Sequence, residues 1–484
     1  MHYTIEDLIK LPIWQHFYAI SQIPRPSGRM DAITDYIEGF GKSLRLETLR
    51  DKANNIVIRK PASAGYEGCK KVILQSHLDM VPQKNEGVLH DFCTDAIKWK
   101  ITDNWLMATD TTLGADNGIG VAAMMAILEN KELVHPPLEA LFTVDEENGM
   151  NGAFGVAPDW LQGDILINLD SEDEQEIIVG CAGAVRVQCN FNFEKTPVPE
   201  GDKAYKIGIK GLLGGHSGID IHLQRANANK LLFHFLKTLV VDFEARVAYI
   251  KGGTIINAIP REAEAIITIP TGGEDDLMSV YHDFKAIYTQ EYSHIDPDVS
   301  IEIESIILPD GLLPEPIQDD IINAVIGAPN GVYRYVPLSN WVETSTNLGI
   351  IETSTNCVST HFLVRSNVDS MKGEVRSMIE SIFSLAGAKI SVSGNYDGWS
   401  PKSSSNLVNL VREQYEHFFD RDPEVKTIHA GLECGIIGSK YPHLDMISIG
   451  PTIKYPHSPN EKVDILSVDR FYRFLKVLLS QIGV

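Results

Sequence analysis

The segment Lys71–Asp79, KVILQSHLD, decides the fold prediction, because an apolar run ends there in a histidine and an aspartate. Val72 to Gln75 has the composition of a short strand that is buried on both faces. Further β-rich runs share this character and lie at Asn55–Arg59, Leu138–Val144, Ile165–Leu169 and Met446–Ile449. A helical run, Gly118–Leu128, separates two of these strands. Strands that alternate with helices predict an α/β layer with a mostly parallel sheet.

The N-terminal part and the middle of the chain have different patterns. An amphipathic stretch at Ile5–Ile20 and a second one at Ala32–Phe40 predict two helices before the first strand. Segments such as KAYKIGIKG and EAEAIITIP, which alternate apolar and polar residues, begin after about residue 185 and continue to about residue 396. We therefore expect residues 1–185 and 397–484 to form one discontinuous α/β domain, interrupted by an inserted α+β domain at residues 186–396.

Composition and charge narrow the function classes. The 484 residues include 65 acidic and 42 basic ones, which gives a formal charge of −23. Because such a field repels phosphate backbones, we expect no nucleic-acid partner. The sequence has no run of about 18 apolar residues and no secretory signal pattern at its start. The six cysteines include no C-x-x-C pair, so we expect reduced thiols in a cytoplasmic protein that does not contact a membrane.

Five potential metal ligands lie next to predicted strand ends or helix starts. They are His77, Asp116, Glu147, Asp170 and His457. The carboxyl ends of parallel strands lie at one edge of a sheet, where ligands bind. Two imidazoles and three carboxylates suit zinc and its first-row neighbours. Five side chains can hold two cations only if one carboxylate and a water are shared between them.

Each of these residues also has an ordinary structural explanation. His77 alone could be a surface or capping residue at a strand end. Asp116 could be the N-cap of the helix that follows it. The acidic residues around Glu147 and Asp170 could form solvated loops, and His457, between two prolines, could stabilise a rigid turn. The occurrence of all five at one sheet edge favours the metal site.

Longer segments of the sequence resemble a known enzyme family. The motifs are HLD at His77, GAD at Asp116, DEENG at Glu147, Asp170 itself and PH at His457, together with SHLDMVPQKN, TLGADNGIGVA, GGHSGIDIHLQRANANK, NAIPRE, AGLECGI and SIGPTI. They resemble the di-zinc metallopeptidases related to aminoacylase and carboxypeptidase G, and especially the branch of bacterial aminoacyl-histidine dipeptidases. The likeness covers essentially the whole chain.

The resemblance implies a ligand set for two Zn²⁺ ions per chain. Asp116 would bridge both ions. His77 and Asp170 would complete one site, and Glu147 and His457 would complete the other. Mn²⁺ or Co²⁺ would fit the same ligands. The family also implies a cis peptide bond at Asp116–Asn117.

The resemblance further implies the catalytic residues. Asp79 would hydrogen-bond the imidazole of His77 and fix its tautomer. Glu146 would be the general base that deprotonates a water bridging the metals, and the resulting hydroxide would attack the peptide carbonyl. His216, in the inserted domain, would donate to the developing oxyanion.

Substrate-binding residues follow from the same likeness. Arg365 would bind the free carboxylate of the substrate, because its fork matches a carboxylate, with help from Asn257 and the backbone around Gly435. The family implies that the inserted domain acts as a lid and forms a homodimer. The sequence leaves open whether His216 acts in its own subunit or in a partner.

The implied activity is hydrolysis of Xaa-His dipeptides, such as β-alanyl-histidine, and of other short unblocked dipeptides. An amidohydrolase or aminoacylase acting on N-acyl amino acids, or a tripeptidase, would have the same metal ligands. A non-catalytic metal-binding protein and a structural protein with a single zinc are further alternatives.

Overall fold

Helices and strands alternate through residues 3–402 and 404–482, which the computed structural model describes. The helices are α1 (Ile5–Leu8), α2 (Pro12–Ser21), α3 (Asp31–Ser43), α4 (Ala115–Glu129), α5 (Asn151–Gly155), α6 (Ala228–Phe243), α7 (Glu274–Glu291), α8 (Glu315–Gly327), α9 (Asp369–Leu385), α10 (Asn406–Phe419), α11 (Glu433–Lys440) and α12 (Ile465–Gln481).

The strands of the same residues are β1 (Glu47–Arg50), β2 (Ile56–Lys60), β3 (Val72–His77), β4 (Trp99–Thr102), β5 (Trp105–Ala108), β6 (Leu138–Thr143), β7 (Ile165–Asn168), β8 (Glu176–Cys181), β9 (Gly183–Asn192), β10 (Lys203–Lys210), β11 (Gly215–His216), β12 (Arg246–Gly252), β13 (Ala258–Ile259), β14 (Ala263–Ile269), β15 (Ser300–Ile306), β16 (Gly331–Tyr335), β17 (Val342–Thr353), β18 (Cys357–Ser366), β19 (Lys389–Tyr396), β20 (Glu424–Ile428), β21 (Asp445–Ser448), β22 (Ile453–Lys454) and β23 (Lys462–Asp464).

The chain divides into two units. Unit 1 comprises residues up to 180, residues 399–427 and the residues from 432 onward. Unit 2 comprises residues 181–398 and the short segment 428–431. No helix within the described residues has the length and apolar character needed to cross a membrane.

Unit 1 is built on an eight-stranded sheet in the order β1-β2-β6-β3-β7-β21-β8-β20. The four central strands, β6, β3, β7 and β21, run parallel, whereas β2 and β8 join them in antiparallel orientation. Residues of β3 and β6 are buried throughout, because helices cover the sheet. Helix α4 is apolar on nearly all sides and almost every residue of it is buried, as expected of a central helix. The prediction of a mostly parallel α/β layer is confirmed.

The first predicted helix, Ile5–Ile20, is wrong as a single element. The structure has α1 ending at Leu8 and α2 beginning at Pro12. Leu11 is extended, with φ −90° and ψ 134°, because proline disfavours the helical conformation of the residue before it. Proline itself suits the first position of a new helix, where its missing N–H costs no hydrogen bond.

Unit 2 contains a nine-stranded sheet in which β15-β10-β14-β12-β17-β18-β9-β19 follow in order and β16 pairs with β17. Its strand pairs are antiparallel. Residues of α6, α8 and α9 contribute to a hydrophobic core of its own. A separate two-stranded ribbon pairs His216 on β11 with Ala258 on β13. The antiparallel α+β character expected for the middle of the chain is confirmed.

Candidate metal centre

Register along the parallel sheet brings three of the potential ligands, His77, Glu147 and Asp170, to one edge. His77 is the last residue of β3 and pairs with Thr143, the last residue of β6, from which the chain continues to Glu147. On the other side, Gln75 pairs with Asn168, the last residue of β7. Asp170 lies two residues after Asn168, and His77 lies two residues after Gln75. Parallel pairing therefore aligns the chain segments that carry these side chains.

The carboxylate of Asp116 lies between two imidazoles. Its Oδ1 is 3.1 Å from Nε2 of His77 and its Oδ2 is 3.1 Å from Nε2 of His457. Nε2 of His77 is also 3.3 Å from Oδ1 of Asp170, and Nε2 of His457 is 3.0 Å from Oε2 of Glu147. The five side chains thus form two groups of three that share Asp116, with potential ligand atoms within 4.8 Å of one another. The Asp116–Asn117 peptide bond is cis, as the family resemblance implies.

These distances suit two divalent cations. Nitrogen and oxygen ligands at about 2.0–2.1 Å in tetrahedral geometry are about 3.3 Å from one another, which is close to the 3.0–3.3 Å separations here. Oε1 of Glu147 is buried and has no hydrogen-bond partner among the described residues. A buried acceptor of this kind would be satisfied by a cation. The donor set therefore fits the metal pair.

The charges around the site favour a bound cation. Burial acts to lower the pKa of His457, but the carboxylates of Asp116 and Glu147 outweigh it and raise the pKa to about 11. The pKa of Asp116 is lowered, since hydrogen bonds from His457 and His77 outweigh the opposing effect of burial. The negative surroundings that stabilise a proton on an imidazole would likewise stabilise a metal ion.

Asp79 contacts both His77 and the backbone of the glutamate pair. Nδ1 of His77 is 3.4 Å from Oδ1 of Asp79 and 3.2 Å from its backbone oxygen. The Asp79 carboxylate also accepts hydrogen bonds from the backbone N–H of Glu146, at 3.0 Å, and of Glu147, at 3.2 Å. The second set of contacts was not predicted. It gives this buried carboxylate a direct part in positioning the glutamates.

Glu146 lies close to the ligand groups. Its carboxylate, that of Glu147 and an imidazole nitrogen of His77 lie within 4.8 Å of one another. Burial raises the pKa of Glu146 well above its usual value, against the effect of His77, and the carboxylates of Asp170 and Glu147 add to the increase. The backbone thus allows the carboxylates of these two neighbouring residues to approach the same imidazole.

Unit 2 contains three of the other predicted residues. Nδ1 of His216 accepts hydrogen bonds from the backbone N–H of Gly218, at 3.2 Å, and of Ile219, at 3.0 Å. With Nδ1 as an acceptor, the neutral ring carries its proton on Nε2, as an oxyanion donor requires. Asn257 directly precedes β13 of the same ribbon, and its carbonyl accepts the N–H of Ser217 at 2.8 Å. Arg365 is buried on β18.

Gly435, the last predicted substrate-binding residue, lies in unit 1. It is buried in α11, and its backbone N–H donates to the carbonyl of Leu432 at 3.0 Å. That N–H is therefore engaged within the first turn of the helix.

The comparisons with known proteins identify the family. The sequence profile of Peptidase family M20/M25/M40 matches residues 73–481. The chain belongs to this peptidase family. Its members are metal-dependent peptidases, so the prediction of a metallopeptidase is confirmed at the level of the family.

Two relatives of this M20 peptidase match over nearly the whole chain. The cytosol non-specific dipeptidase of Escherichia coli (strain K12) is 44% identical over 479 residues, 99% of each chain. The aminoacylhistidine dipeptidase of Vibrio alginolyticus is 42% identical, with a TM-score of 0.91 over 100% of this chain and 99% of that one. A tripeptidase structure from Staphylococcus aureus has a TM-score of 0.57 at 15% identity, covering 97% of this chain and 98% of that one, and indicates the fold alone.

Two buried residues of this M20 peptidase were missed by the sequence analysis. Nε2 of His429 lies 2.7 Å from Oγ of Ser345, and burial lowers the pKa of His429 to about 3, with Arg365 and His216 acting in the same direction. Glu433 is fully buried in unit 1, where burial raises its pKa to about 7. His429 directly precedes the AGLECGI motif and Glu433 lies within it, so the motif was the available indication.

Proposed function

We propose that this M20 peptidase is a di-zinc dipeptidase. The proposed zinc ligands are His77, Asp116, Asp170, Glu147 and His457. The observation that supports this most is the position of Asp116, whose two carboxylate oxygens each lie 3.1 Å from one imidazole nitrogen. A single shared carboxylate is what two hydrolytic metals about 3.5–4 Å apart need.

The proposed substrates are Xaa-His dipeptides, such as β-alanyl-histidine, and other short unblocked dipeptides. The two relatives above 40% identity are both named dipeptidases, one for aminoacyl-histidine substrates and one as non-specific. These names support cleavage of dipeptides and differ in the breadth of specificity. We also propose a cytoplasmic location, in keeping with the cytosolic relative, and a homodimer formed through unit 2.

In the proposed mechanism, the two bound cations would polarise the scissile carbonyl and acidify the attacking water. Glu146 accepts the proton of this water and delivers it to the leaving amine. Asp79 keeps Glu146 in position through the hydrogen bond from the Glu146 backbone N–H. It also orients His77.

The remaining groups stabilise negative charge, either on the developing oxyanion or on the carboxylate of the substrate. His216 donates from Nε2 to the oxyanion that develops on the carbonyl. Arg365 binds the free carboxylate of the substrate, together with Asn257 and the backbone near Gly435. These roles follow from the family resemblance, and the tautomer of His216 supports its part.

One experiment tests the proposal as a whole. The metal-to-protein ratio is measured by elemental analysis, and hydrolysis of β-alanyl-histidine, other Xaa-His dipeptides, tripeptides and N-acetyl amino acids is compared under one set of conditions. We expect two metals per chain and fastest cleavage of dipeptides. Fastest cleavage of N-acetyl amino acids would indicate an aminoacylase. Fastest cleavage of tripeptides would indicate a tripeptidase. One metal per chain, or full metal occupancy without hydrolysis, would refute the proposal.

A further inference from the structure

Two oppositely charged residues of unit 1, Arg25 and Glu461, are buried beside the candidate metal centre and have no part in the proposed mechanism. Each residue is only 2% exposed. Charged side chains are rarely buried to this extent unless their hydrogen-bonding groups are satisfied. The hydrogen-bond partners of Arg25 and Glu461 therefore indicate the role of each residue.

Glu461 accepts hydrogen bonds from four consecutive backbone N–H groups. Its Oε2 accepts from Leu113, at 2.7 Å, and Gly114, at 2.9 Å, and its Oε1 accepts from Ala115, at 2.7 Å, and Asp116, at 3.3 Å. The backbone of Asp116 is not helical, with φ −80° and ψ 111°. Because the first N–H groups of a helix have no partner within it, this one carboxylate holds the two residues before α4 and the first two residues of α4.

Arg25 holds the same segment from its carbonyl side. Its Nη2 donates to the carbonyl of Gly114 at 2.5 Å. Its Nη1 donates to the carbonyls of Leu78, at 2.9 Å, and Asp79, at 3.1 Å. The planar, forked guanidinium suits a group that must reach two chain segments at once. Arg25 thereby joins the segment after His77 to the segment before Asp116.

The chain makes room for this guanidinium with glycine. A Cβ atom at Gly114 would lie 2.5 Å from Nη2 of Arg25, and one at Gly118 would lie 2.6 Å from it. The GADNG segment thus admits the arginine only because both positions lack a side chain. Gly114 also has a φ of +70°, which favours glycine.

We propose that Arg25 and Glu461 are positioning residues that lock three ligand-bearing segments together and so set the metal affinity of both sites. Glu461 follows His457 by four residues and donates its own N–H to the carbonyl of Ser458 at 2.9 Å. The pair therefore connects the His457 loop, the Asp116 segment and the His77 segment. Because Asp116 serves both metal sites, a shift of its backbone weakens both. The inference rests on the proposed function for its metal-binding part.

The test compares Glu461→Gln with a matched control in unit 1. Glutamine keeps the size of the side chain but turns one acceptor oxygen into an NH₂ donor, which opposes the backbone N–H groups. Glu139→Gln is the control, because Glu139 is buried, accepts from Nε of Arg59 at 2.8 Å and from the N–H of Gln162 at 2.7 Å, and is not a predicted ligand. The Zn²⁺ dissociation constants are measured by competition with a chelating dye.

For Glu461→Gln we expect both Zn²⁺ dissociation constants to rise by about 10–100-fold, the usual effect of losing a group that orients metal ligands. Glu139→Gln should lower the unfolding temperature and leave both constants unchanged. Unchanged constants in Glu461→Gln, or an equal rise in the control, would overturn the inference.

A second measurement does not depend on metal. In the metal-free protein, hydrogen exchange at the backbone N–H groups of residues 113–116 should be at least about tenfold faster in Glu461→Gln than in the wild type. Equal exchange rates would overturn the inference. A wild type that takes up no divalent cation would refute the proposed function, and the exchange comparison would still decide the role of Glu461. If Glu461→Gln does not fold, Arg25→Lys replaces it, because lysine keeps the charge and removes the fork. Arg25→Lys should raise both Zn²⁺ dissociation constants and speed hydrogen exchange at residues 113–116. Constants and exchange rates equal to those of the wild type would contradict the proposal.

Discussion

Adjacent glutamates are assigned different roles at the candidate metal centre, although both carboxylates lie in the same group of potential ligands with His77. If Glu146 is the general base, Glu146→Ala should lower kcat by about 10²–10⁴-fold and leave the metal content at the wild-type level. Glu147→Ala should instead lose one metal per chain. Elemental analysis and kcat measured on the same preparations separate the two roles. Loss of metal in Glu146→Ala would show that it is a ligand, and retention of more than a few per cent of kcat would show that it is not the base.

The buried carboxyl of Glu433 should make the stability of the metal-free protein depend on pH. Its Oε2 accepts from Nε2 of Gln75 at 2.5 Å and from Oγ1 of Thr143 at 2.6 Å, whereas its Oε1 is buried without a hydrogen-bond partner among the described residues. Burial raises the pKa of Glu433 from 4.5 to about 7. Between these pH values the folded state binds more protons than the unfolded state, so stability falls as pH rises.

Glu433→Gln removes this ionisation. The loss of stability between pH 4.5 and 7 should be smaller in the variant than in the wild type by up to about 3 kcal/mol. Unfolding temperatures of both metal-free proteins, measured at several pH values, test this. Parallel curves for the two proteins would mean that folding does not raise the pKa of Glu433 as its burial implies.

Single residues were predictable where they belong to a pattern. His77 and Asp170 could be found because each follows a predicted strand, and Asp116 because it precedes a helix. Arg25 could not be found, since its partners are backbone carbonyls far along the chain. Glu461 was missed for the same reason, because its four donors are brought to it only by the tertiary fold.

At the level of elements, the close approach of α2, α4 and Arg25 depends on glycine. A Cβ atom at Gly118 would lie 2.6 Å from Nη2 of Arg25 and 2.7 Å from Cε2 of Phe17. Gly118→Ala should therefore destabilise the protein by about 1–3 kcal/mol through overpacking, although alanine is the better helix former. Gly39→Ala in α3 is the control, since nothing lies within 4 Å of its Cβ position, and it should stabilise by about 0.4–1 kcal/mol. The unfolding temperatures of both variants and the wild type are compared. An unfolding temperature of Gly118→Ala above that of the wild type would contradict the packing argument.

Whole elements were predicted well where the apolar pattern is long. The central strands and α4 lie within a few residues of their predicted bounds, because buried runs such as Leu138–Thr143 have few polar interruptions. The break between α1 and α2 was missed, because the apolar spacing continues across it and only Pro12 indicates a new start. Residues 428–431 belong to unit 2, and no local sequence pattern predicts this. Their place in unit 2 depends on contacts between distant residues, such as that between His429 and Ser345.

For the molecule as a whole, the two units differ in their relation to metal. The groups of three or more potential ligands found among the described residues all belong to unit 1. Their carboxylates repel one another when no cation is present, which contributes to the raised pKa of Glu147 and of Asp170 alongside their burial. Cations held by these groups would relieve this repulsion within unit 1.

Removal of metal should consequently weaken unit 1 and leave the sheet of unit 2 nearly unchanged. A ligand that binds only the folded state stabilises it by RT ln(1 + [L]/Kd), about 2.7 kcal/mol per site at a hundredfold excess over Kd. Hydrogen exchange of the chelator-treated protein, with and without Zn²⁺, should show protection by Zn²⁺ at β3, β6 and β7 and at the start of α4, while β9, β17 and β18 exchange alike in both. His457→Ala is the internal control, since the loss of one ligand should shift the Zn²⁺ concentration needed for protection without changing where protection occurs. Equal protection of the strands of unit 2 would show that Zn²⁺ acts on the protein elsewhere than at the shared carboxylate of Asp116.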